Sequence, residues 1–280
     1  MTLQMAYQNA YASLGPDLSE DAEFDLSCLF EHIFGAPRRA PGNSAREADS
    51  AKLAAFNALA ARYKAGEPLQ YLLGMWEFYG LPFEVGPGVL IPRPDTETLV
   101  ETALRLLKGT AAPAVADLCA GSGCIAAAIA HARPDAHVYA VELSDAAFPY
   151  LVRNLARNAP GNAEAICGDA FAPPPLPPLD LIVSNPPYIA RAEMETLSPQ
   201  VRWEPEMALL GGEDGLDFYR ALPRIWMPLL RPGGYIAFEV GYTQADTVAG
   251  LLGRSGYQSC SVERDLAGIR RVVWAQRPKD

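Results

Sequence analysis

Apolar positions along this chain change their spacing partway. In residues 1–75 they recur every three or four positions: Phe24, Cys28, Leu29, Ile33 and Phe34 mark one stretch, and Leu53, Phe56, Leu59, Ala60 and Tyr63 another. That period predicts helices whose apolar stripes meet in a small bundle. Gly35-Ala36-Pro37 and Ala40-Pro41-Gly42-Asn43 punctuate the loop between them. From Trp76 to Pro92, aromatic and β-branched residues alternate with Gly and Pro, which predicts a short hairpin joining two domains. Beyond Arg93, short buried-strand patterns alternate with helical ones. A helix is expected from about Asp95, with its apolar face in Thr98 to Leu107. Strands are expected at Ala114–Leu118, Val138–Val141, Leu179–Val183, Tyr235–Val240 and Val272–Ala275, with a helix over Ile125–Ala130. A strand–helix alternation of this kind implies a mostly parallel α/β sheet. The expected division is a helical domain at 1–75, a hairpin linker at 76–92 and an α/β domain at 93–280. The run Pro173-Pro174-Pro175-Leu176-Pro177-Pro178 reads as a stiff linker inside the last of these.

Composition narrows the class. A chain of 280 residues with 50% hydrophobic content can bury a large core. No apolar run reaches the ~18 residues that would span a bilayer, and no basic region followed by an apolar stretch opens the chain. A cytoplasmic protein without membrane contact is expected. The net charge of -10 argues against a nucleic acid substrate, because duplex binders carry a basic face. The five cysteines, at 28, 119, 124, 167 and 260, are odd in number and irregular in spacing. They suggest neither a disulfide framework nor a zinc site, and no metal is expected. His32, His131 and His137 form no ligand set, and Ser122 has no histidine partner to activate it.

Two segments carry chemistry. In the first, strand Ala114–Leu118 runs into Asp117-Leu118-Cys119-Ala120-Gly121-Ser122-Gly123 and then a helix. Gly121 and Gly123 allow a sharp turn and a close ligand approach, and the helix start offers free N–H groups. Glu142 ends the next strand, where an acid can accept hydrogen bonds from both ribose hydroxyls. This much suits a dinucleotide or S-adenosylmethionine. A pyrophosphate binder would show G-x-G-x-x-G. Here Ala126 takes the third position, and the acid Asp117 would repel a pyrophosphate while suiting a ligand with a cationic amino group.

The second segment is Asp180-Leu181-Ile182-Val183-Ser184-Asn185-Pro186-Pro187-Tyr188. A strand ends directly in Asn-Pro-Pro-Tyr, and the two prolines make the turn rigid. The Asn185 side-chain oxygen and the Pro186 carbonyl can accept from the two hydrogens of an NH₂ group. Tyr188 can stack on the planar group that carries it. The pattern suits a neutral, planar NH₂: an exocyclic base amine or a primary amide. Methylating such a nitrogen is chiefly a matter of orientation and electrostatic placement, since its lone pair is delocalised.

Taken with Gly66-Glu67-Pro68-Leu69-Gln70-Tyr71, Leu90-Ile91-Pro92-Arg93-Pro94-Asp95-Thr96-Glu97, Val201-Arg202-Trp203-Glu204-Pro205, Gly211 to Leu216 and Arg264 to Gly268, these segments resemble the release factor glutamine methyltransferases over nearly the whole chain. The resemblance implies a Rossmann-like S-adenosylmethionine-dependent methyltransferase domain behind a small helical domain and hairpin. It implies that Cys119 to Gly123 hold the methionine part of the cofactor, that Glu142 holds the ribose, and that Asp169, Ala170 and Phe171 lie against the adenine. Asn185, Pro186, Pro187 and Tyr188 would grip the acceptor, with Asn185 also near the cofactor. The acceptor would be the glutamine of a Gly-Gly-Gln motif in a peptide chain release factor, methylated on its side-chain nitrogen N5. The helical domain and hairpin would help to dock it, and a monomer is expected. Cys119 stands where many members have Gly, Glu142 where Asp is usual, and Ala170 where some are aromatic. Pro149 falls in an expected helix and predicts a kink there. Gly268-Ile269-Arg270-Arg271 also departs from the usual pattern. Rival readings are an N6-adenine or other planar-amine methyltransferase, a noncatalytic S-adenosylmethionine-binding module, and a nicotinamide oxidoreductase. The acidic balance disfavours the first and the intact Asn-Pro-Pro-Tyr the second.

Overall fold

The computed structural model of the chain describes residues 1–15, 21–159 and 161–280. Its first segment is helical: α1 (Leu3–Leu14), α2 (Ala22–Phe34), α3 (Ser50–Lys64) and the single turn α4 (Leu69–Leu73). Thr2 caps α1 by accepting from the Met5 N–H, and Asp49 caps α3 by accepting from Ala51 and Lys52. Leu26, Leu29, Phe30 and Phe34 form the buried line of α2. The stripe expected from the sequence is therefore corrected in part. Phe24 is 63% exposed, while Phe30, unmarked by the pattern, packs edge-on against Tyr7 and Phe56. These residues, Met1–Met75 with Ser198–Trp203, form one compact unit, and Trp76–Leu197 with Glu204–Asp280 form a second.

The hairpin β1 (Met75–Phe78) and β2 (Leu81–Glu84) turns through Tyr79 and Gly80. Both residues are left-handed, at φ 53° and 72°, the backbone that lets a two-residue turn follow strand twist. The pairing is shorter than the sequence suggests: residues 85–92 leave it as irregular chain. A 3₁₀ turn at Pro94–Thr96 leads into α5 (Glu97–Leu106). There follow β3 (Ala114–Leu118), α6 (Cys124–Ala132), β4 (His137–Glu142), α7 (Phe148–Asn158), β5 (Ala163–Cys167), β6 (Leu179–Ser184), α8 (Glu206–Leu209), α9 (Asp217–Trp226), β7 (Leu230–Glu239), α10 (Ala245–Arg254), β8 (Gln258–Arg264) and β9 (Arg270–Gln276).

The seven-stranded sheet has the order β5-β4-β3-β6-β7-β9-β8. It is parallel except for β9, which runs antiparallel to β7 and β8. Side chains alternate across it. Val115, Val138, Leu181 and Val183 face α5, α6 and α7, while Ala116, Leu118, Ile182 and Phe238 face α9 and α10. The chain lays down β3, winds outward to β5 and returns to β6 beside β3. The strand order thus reverses between β3 and β6, and a crevice opens there beyond their carboxyl ends.

The sequence did not suggest β5 and β8, the two edge strands, because both expose part of their length and lack an apolar run. Arg231-Pro232-Gly233-Gly234 forms an irregularity inside β7, which begins before the expected strand at Tyr235–Val240: Leu179 pairs with Leu230 and Leu181 with Tyr235. Pro149 does not kink α7. It lies in the first turn, where its missing N–H has no partner to lose. No described helix is long and apolar enough to cross a membrane.

One buried side chain fastens the hairpin to this sheet. Asn154 of α7 accepts from the Glu84 N–H at 2.7 Å, and its amide donates to Glu84 O at 3.0 Å and Ser122 O at 2.9 Å. Asn154→Leu strands three backbone groups and is expected to cost about 2–4 kcal/mol in urea denaturation. A loss below about 0.5 kcal/mol, the scale of a neutral surface change, would contradict this reading of the contact.

Candidate cofactor and acceptor site

The crevice between β3 and β6 opens into a cavity of about 1050 Å³, its mouth included. Leu118 pairs with Ser184 in the parallel register. The loop after β3 and the Asn-Pro-Pro-Tyr turn after β6 therefore start side by side. The Ser184 hydroxyl ties the two by donating to Leu118 O at 2.6 Å.

Cys119, Ala120, Gly121 and Ser122 line the cavity from the β3 side. Cys119 is left-handed at φ 58°, a backbone that glycine adopts without strain. Burial pushes the thiols of Cys119 and Cys124 well up, so both stay protonated. Gly123 does not reach the wall. It starts α6 at φ 79°, and a Cβ there would stand 2.5 Å from Leu151 Cδ1.

Glu142, at the end of β4, is only 8% exposed yet lines the cavity. It accepts from the Gly121 N–H at 2.8 Å and the Ser144 N–H at 2.6 Å. Each carboxylate oxygen keeps a further lone pair for a ligand hydroxyl. The longer side chain is thus accommodated by bracing the glycine loop.

Asp117 is corrected as a direct ligand group. Strand alternation turns it toward α6, where it is fully buried and absent from the cavity wall. Its Oδ2 accepts from the Ala126 N–H at 3.0 Å, and its Oδ1 has no partner. Burial first, and the Glu142 charge second, push its carboxyl up to about 8 against that hydrogen bond.

Asp169, Ala170 and Phe171 lie together on the wall. The Asp169 carboxylate accepts from the Phe171 N–H at 2.8 Å, and Ala170 O accepts from Trp226 Nε1 at 2.7 Å. Ala170 contributes no ring, but Phe171 packs on Phe218 with ring centroids 4.9 Å apart. Phe218 also faces the cavity. It was not found from the sequence, since its position on α9 becomes relevant only when that helix folds under the sheet end.

On the β6 side, Asn185 and Pro187 line the cavity, whereas Pro186 and Tyr188 do not. The Asn185 amide donates through Nδ2 to Thr96 Oγ1 at 3.3 Å, which leaves Oδ1 to accept. Tyr188 differs from the expected stacking platform. Its ring packs against the core beneath α9 and β7, and its carbonyl accepts from Gln244 Nε2 at 2.9 Å. A Cβ on Gly211 or Gly215 would fall within 2.5 Å of Pro187 O or Tyr188 O, so those glycines let their loop press on the turn.

Ile91, Pro92, Arg93 and Thr96 complete the wall. The buried Glu204 holds this segment in place: it accepts from the Ile91 N–H at 3.0 Å and pairs with Arg93. The sequence marked this stretch by resemblance, without giving it a place in the site.

Residues 6–74 match the family model of the PrmC N-terminal domain, and residues 95–201 that of the methyltransferase small domain. Release factor glutamine methyltransferase of Geobacter sulfurreducens is 48% identical over 223 residues, covering 79% of this chain and 78% of that protein. The protein of the same name from Koribacter versatilis is 37% identical over 288 residues, covering 99% of each. The chain belongs to the release factor glutamine methyltransferase family. A methyltransferase from Pyrococcus furiosus shares the fold, with a TM-score of 0.51 at 19% identity, covering 82% of this chain and 100% of that one. The chain is thus an S-adenosylmethionine-dependent methyltransferase, and its larger unit is Rossmann-like.

The donor set fits that cofactor. An apolar wall, a buried acid and a glycine turn converge in one cavity, with the Asp117 carboxyl buried beneath that turn. That same carboxyl has a stability consequence. An acid with a raised folded pKa holds its proton more tightly folded than unfolded, so stability falls as pH rises from 3.8 toward about 8. Asp117→Asn carries no such proton. Without ligand, its melting temperature relative to the parent is expected to rise from about pH 5 to about pH 8. A difference that stays constant with pH would contradict the assignment.

Proposed function

We propose that this enzyme transfers a methyl group from S-adenosylmethionine to the side-chain nitrogen N5 of the glutamine in the Gly-Gly-Gln motif of peptide chain release factors. The observation that carries this reading is Asn185 on the cavity wall, its Nδ2 already given to Thr96 and its Oδ1 left to accept. A side chain so arranged suits a neutral planar NH₂ and offers nothing to a carboxylate or a phosphate.

Asn185 Oδ1 and the Pro186 carbonyl would take the two amide hydrogens, with Pro187 and Tyr188 keeping the turn rigid. The cofactor would lie along Cys119 to Gly123, with its ribose on Glu142 and its adenine between Asp169, Ala170 and Phe171. Phe218 would supply the aromatic surface that Ala170 lacks. Bound there, S-adenosylmethionine supplies an electrophilic methyl on a sulfonium. The chain's own contribution is orientation and exclusion of water. Asn185 and Pro186 hold the nitrogen in line and draw on its protons, which raises its electron density. No strong base is needed, because the methylated nitrogen can release its proton to solvent afterwards.

We assign residues 1–75 to docking of the release factor, 76–92 to the connection and 93–280 to methyl transfer. An enzyme acting on translation factors would work in the cytoplasm as a monomer, without nucleic acid or membrane as partner. The -10 charge supports a protein acceptor over adenine in nucleic acid.

Peptide mass spectrometry of a purified release factor tests the proposal. A methyl on the Gly-Gly-Gln glutamine is expected, with the rate lowered about a hundredfold or more by Asn185→Ala. Wild-type turnover by a folded Asn185→Ala protein would sink the role given to that side chain. Glu142→Ala is expected to weaken cofactor binding roughly 10- to 100-fold by calorimetry, the scale of lost charge-assisted hydrogen bonds. Unchanged affinity would remove Glu142 from the ribose site.

A further inference from the structure

Part of the cavity wall belongs neither to the cofactor loops nor to the Asn-Pro-Pro-Tyr turn. Ile91, Pro92 and Arg93 form one stretch of it, and Pro205, Met207 and Ala208 another. Each stretch is anchored at one end to the acceptor turn. On the first, the Thr96 N–H donates to Arg93 O at 3.1 Å, and Thr96 Oγ1 lies 3.3 Å from Asn185 Nδ2. On the second, the Ala208 N–H donates to Pro205 O at 2.9 Å. Ile189, which follows Tyr188, then donates its N–H to Leu209 O at 2.9 Å and accepts from the Gly211 N–H at 2.9 Å. Two arms thus leave one turn.

The arms meet again at Glu204. Its Oε2 accepts from the Ile91 N–H at 3.0 Å, its Oε1 pairs with Arg93, and the next residue is Pro205. Residues 91–93 and 204–205 lie outside helix and strand, so no ladder sets their separation. Pro92 and Pro205 have no N–H to donate. The carboxylate therefore carries the contact. Its side chain is 1% exposed, and both of its oxygens are engaged. A buried ion pair adds little stability over a well-packed apolar contact. What it supplies here is direction, since charge-assisted hydrogen bonds to one N–H and one guanidinium hold two irregular stretches at a single spacing.

We propose that Glu204 is a positioning residue that sets the spacing of the two arms, and with it the aperture through which the acceptor reaches Asn185. The wall so held is apolar at Ile91, Pro92, Pro205, Met207 and Ala208, and Glu204 itself takes up the charge of Arg93. Such an aperture suits a neutral amide on a methylene stem. Ile91 and Arg93 lie outside the loops after β3, β4 and β5 that are assigned to the cofactor. Loss of Glu204 is therefore expected to disturb the acceptor and to spare cofactor binding.

The proposal rests on the reading of Asn185 as the group that holds the acceptor amide, and two measurements on the whole chain separate the two. The first is backbone hydrogen exchange by NMR in the cofactor-bound protein, which needs no acceptor. In Glu204→Leu the Ile189 and Gly211 amides, on the arm away from Ile91, are expected to exchange about tenfold faster or more. Gly121, whose N–H donates to Glu142, is expected to keep its rate. Unchanged exchange at Ile189 and Gly211, or an equal gain at Gly121, would overturn the proposal.

The second is methylation kinetics with a release factor, beside calorimetry of the cofactor. Glu204→Leu is expected to lower kcat about a hundredfold, the scale of a misplaced reactant, with cofactor affinity within about threefold of the parent. Should Glu204→Leu fail to fold, Glu204→Gln keeps an oxygen for the Ile91 N–H and gives up the charge on Arg93. Its kcat is expected to fall about tenfold, the scale of one charge-assisted hydrogen bond. Parent-like kcat in the folded variant, or cofactor affinity that falls as far as kcat, would overturn the proposal. A parent protein that leaves release factors unmethylated would remove the acceptor reading, and the exchange measurement would still decide the positioning.

Discussion

The parallel register of β3 and β6 governs the rest of the site. With Leu118 beside Ser184, the residues that follow each strand form opposite lips of one crevice. One lip is the turn assigned to the cofactor and the other is the turn assigned to the acceptor. A slip of one residue would turn every side chain of β6 to the other face of the sheet. The apolar alternation that buries Leu181 and Val183 on one side and Ile182 on the other makes such a slip costly. Core packing thus sets the separation of the reacting groups, and the Ser184 hydroxyl on Leu118 O pins the register where the two turns diverge.

Around that register the protein tolerates buried carboxyls that a purely structural core would avoid. Asp117 and Glu239 each keep a buried oxygen without a partner. Burial pushes Asp117 up to about 8 and Glu239 up to about 7. Unpaired buried polar groups lower stability, so their presence at the two strand ends that border the cavity points to chemistry. Asp117 sits beneath the loop assigned to a cationic cofactor, and Glu239 stands behind the amide assigned to the acceptor. Their surroundings differ accordingly. Asp117 is tied to a helix start, whereas Glu239 ends the strand beside the one that runs into Asn185.

Much of this was legible in the sequence where local pattern and chemistry coincide. The inner strands appear as apolar runs because both of their faces are buried. The Asn-Pro-Pro-Tyr turn and the glycine turn are chemically distinctive, and Glu142 follows from its distance along the chain. The edge strands β5 and β8 were not legible, since exposure dilutes their apolar signal. Local pattern also misplaced side chains whose direction is set by packing: Phe24 points to solvent, Tyr188 into the core, and Asp117 under its loop. Thr96 and Phe218 join the site only through tertiary contacts with partners 89 and 47 residues away, at Asn185 and Phe171. No local window shows such pairs.

The central claim is that this cavity delivers a methyl group to a neutral amide nitrogen. The most direct test is to supply S-adenosylmethionine with an isotope-labelled methyl carbon, together with a release factor whose glutamine side-chain nitrogens are labelled, and to read the product by heteronuclear NMR. A one-bond coupling between the new methyl carbon and the labelled nitrogen of the Gly-Gly-Gln glutamine is the predicted result. A transferred methyl that shows no coupling to a glutamine side-chain nitrogen would contradict the amide assignment.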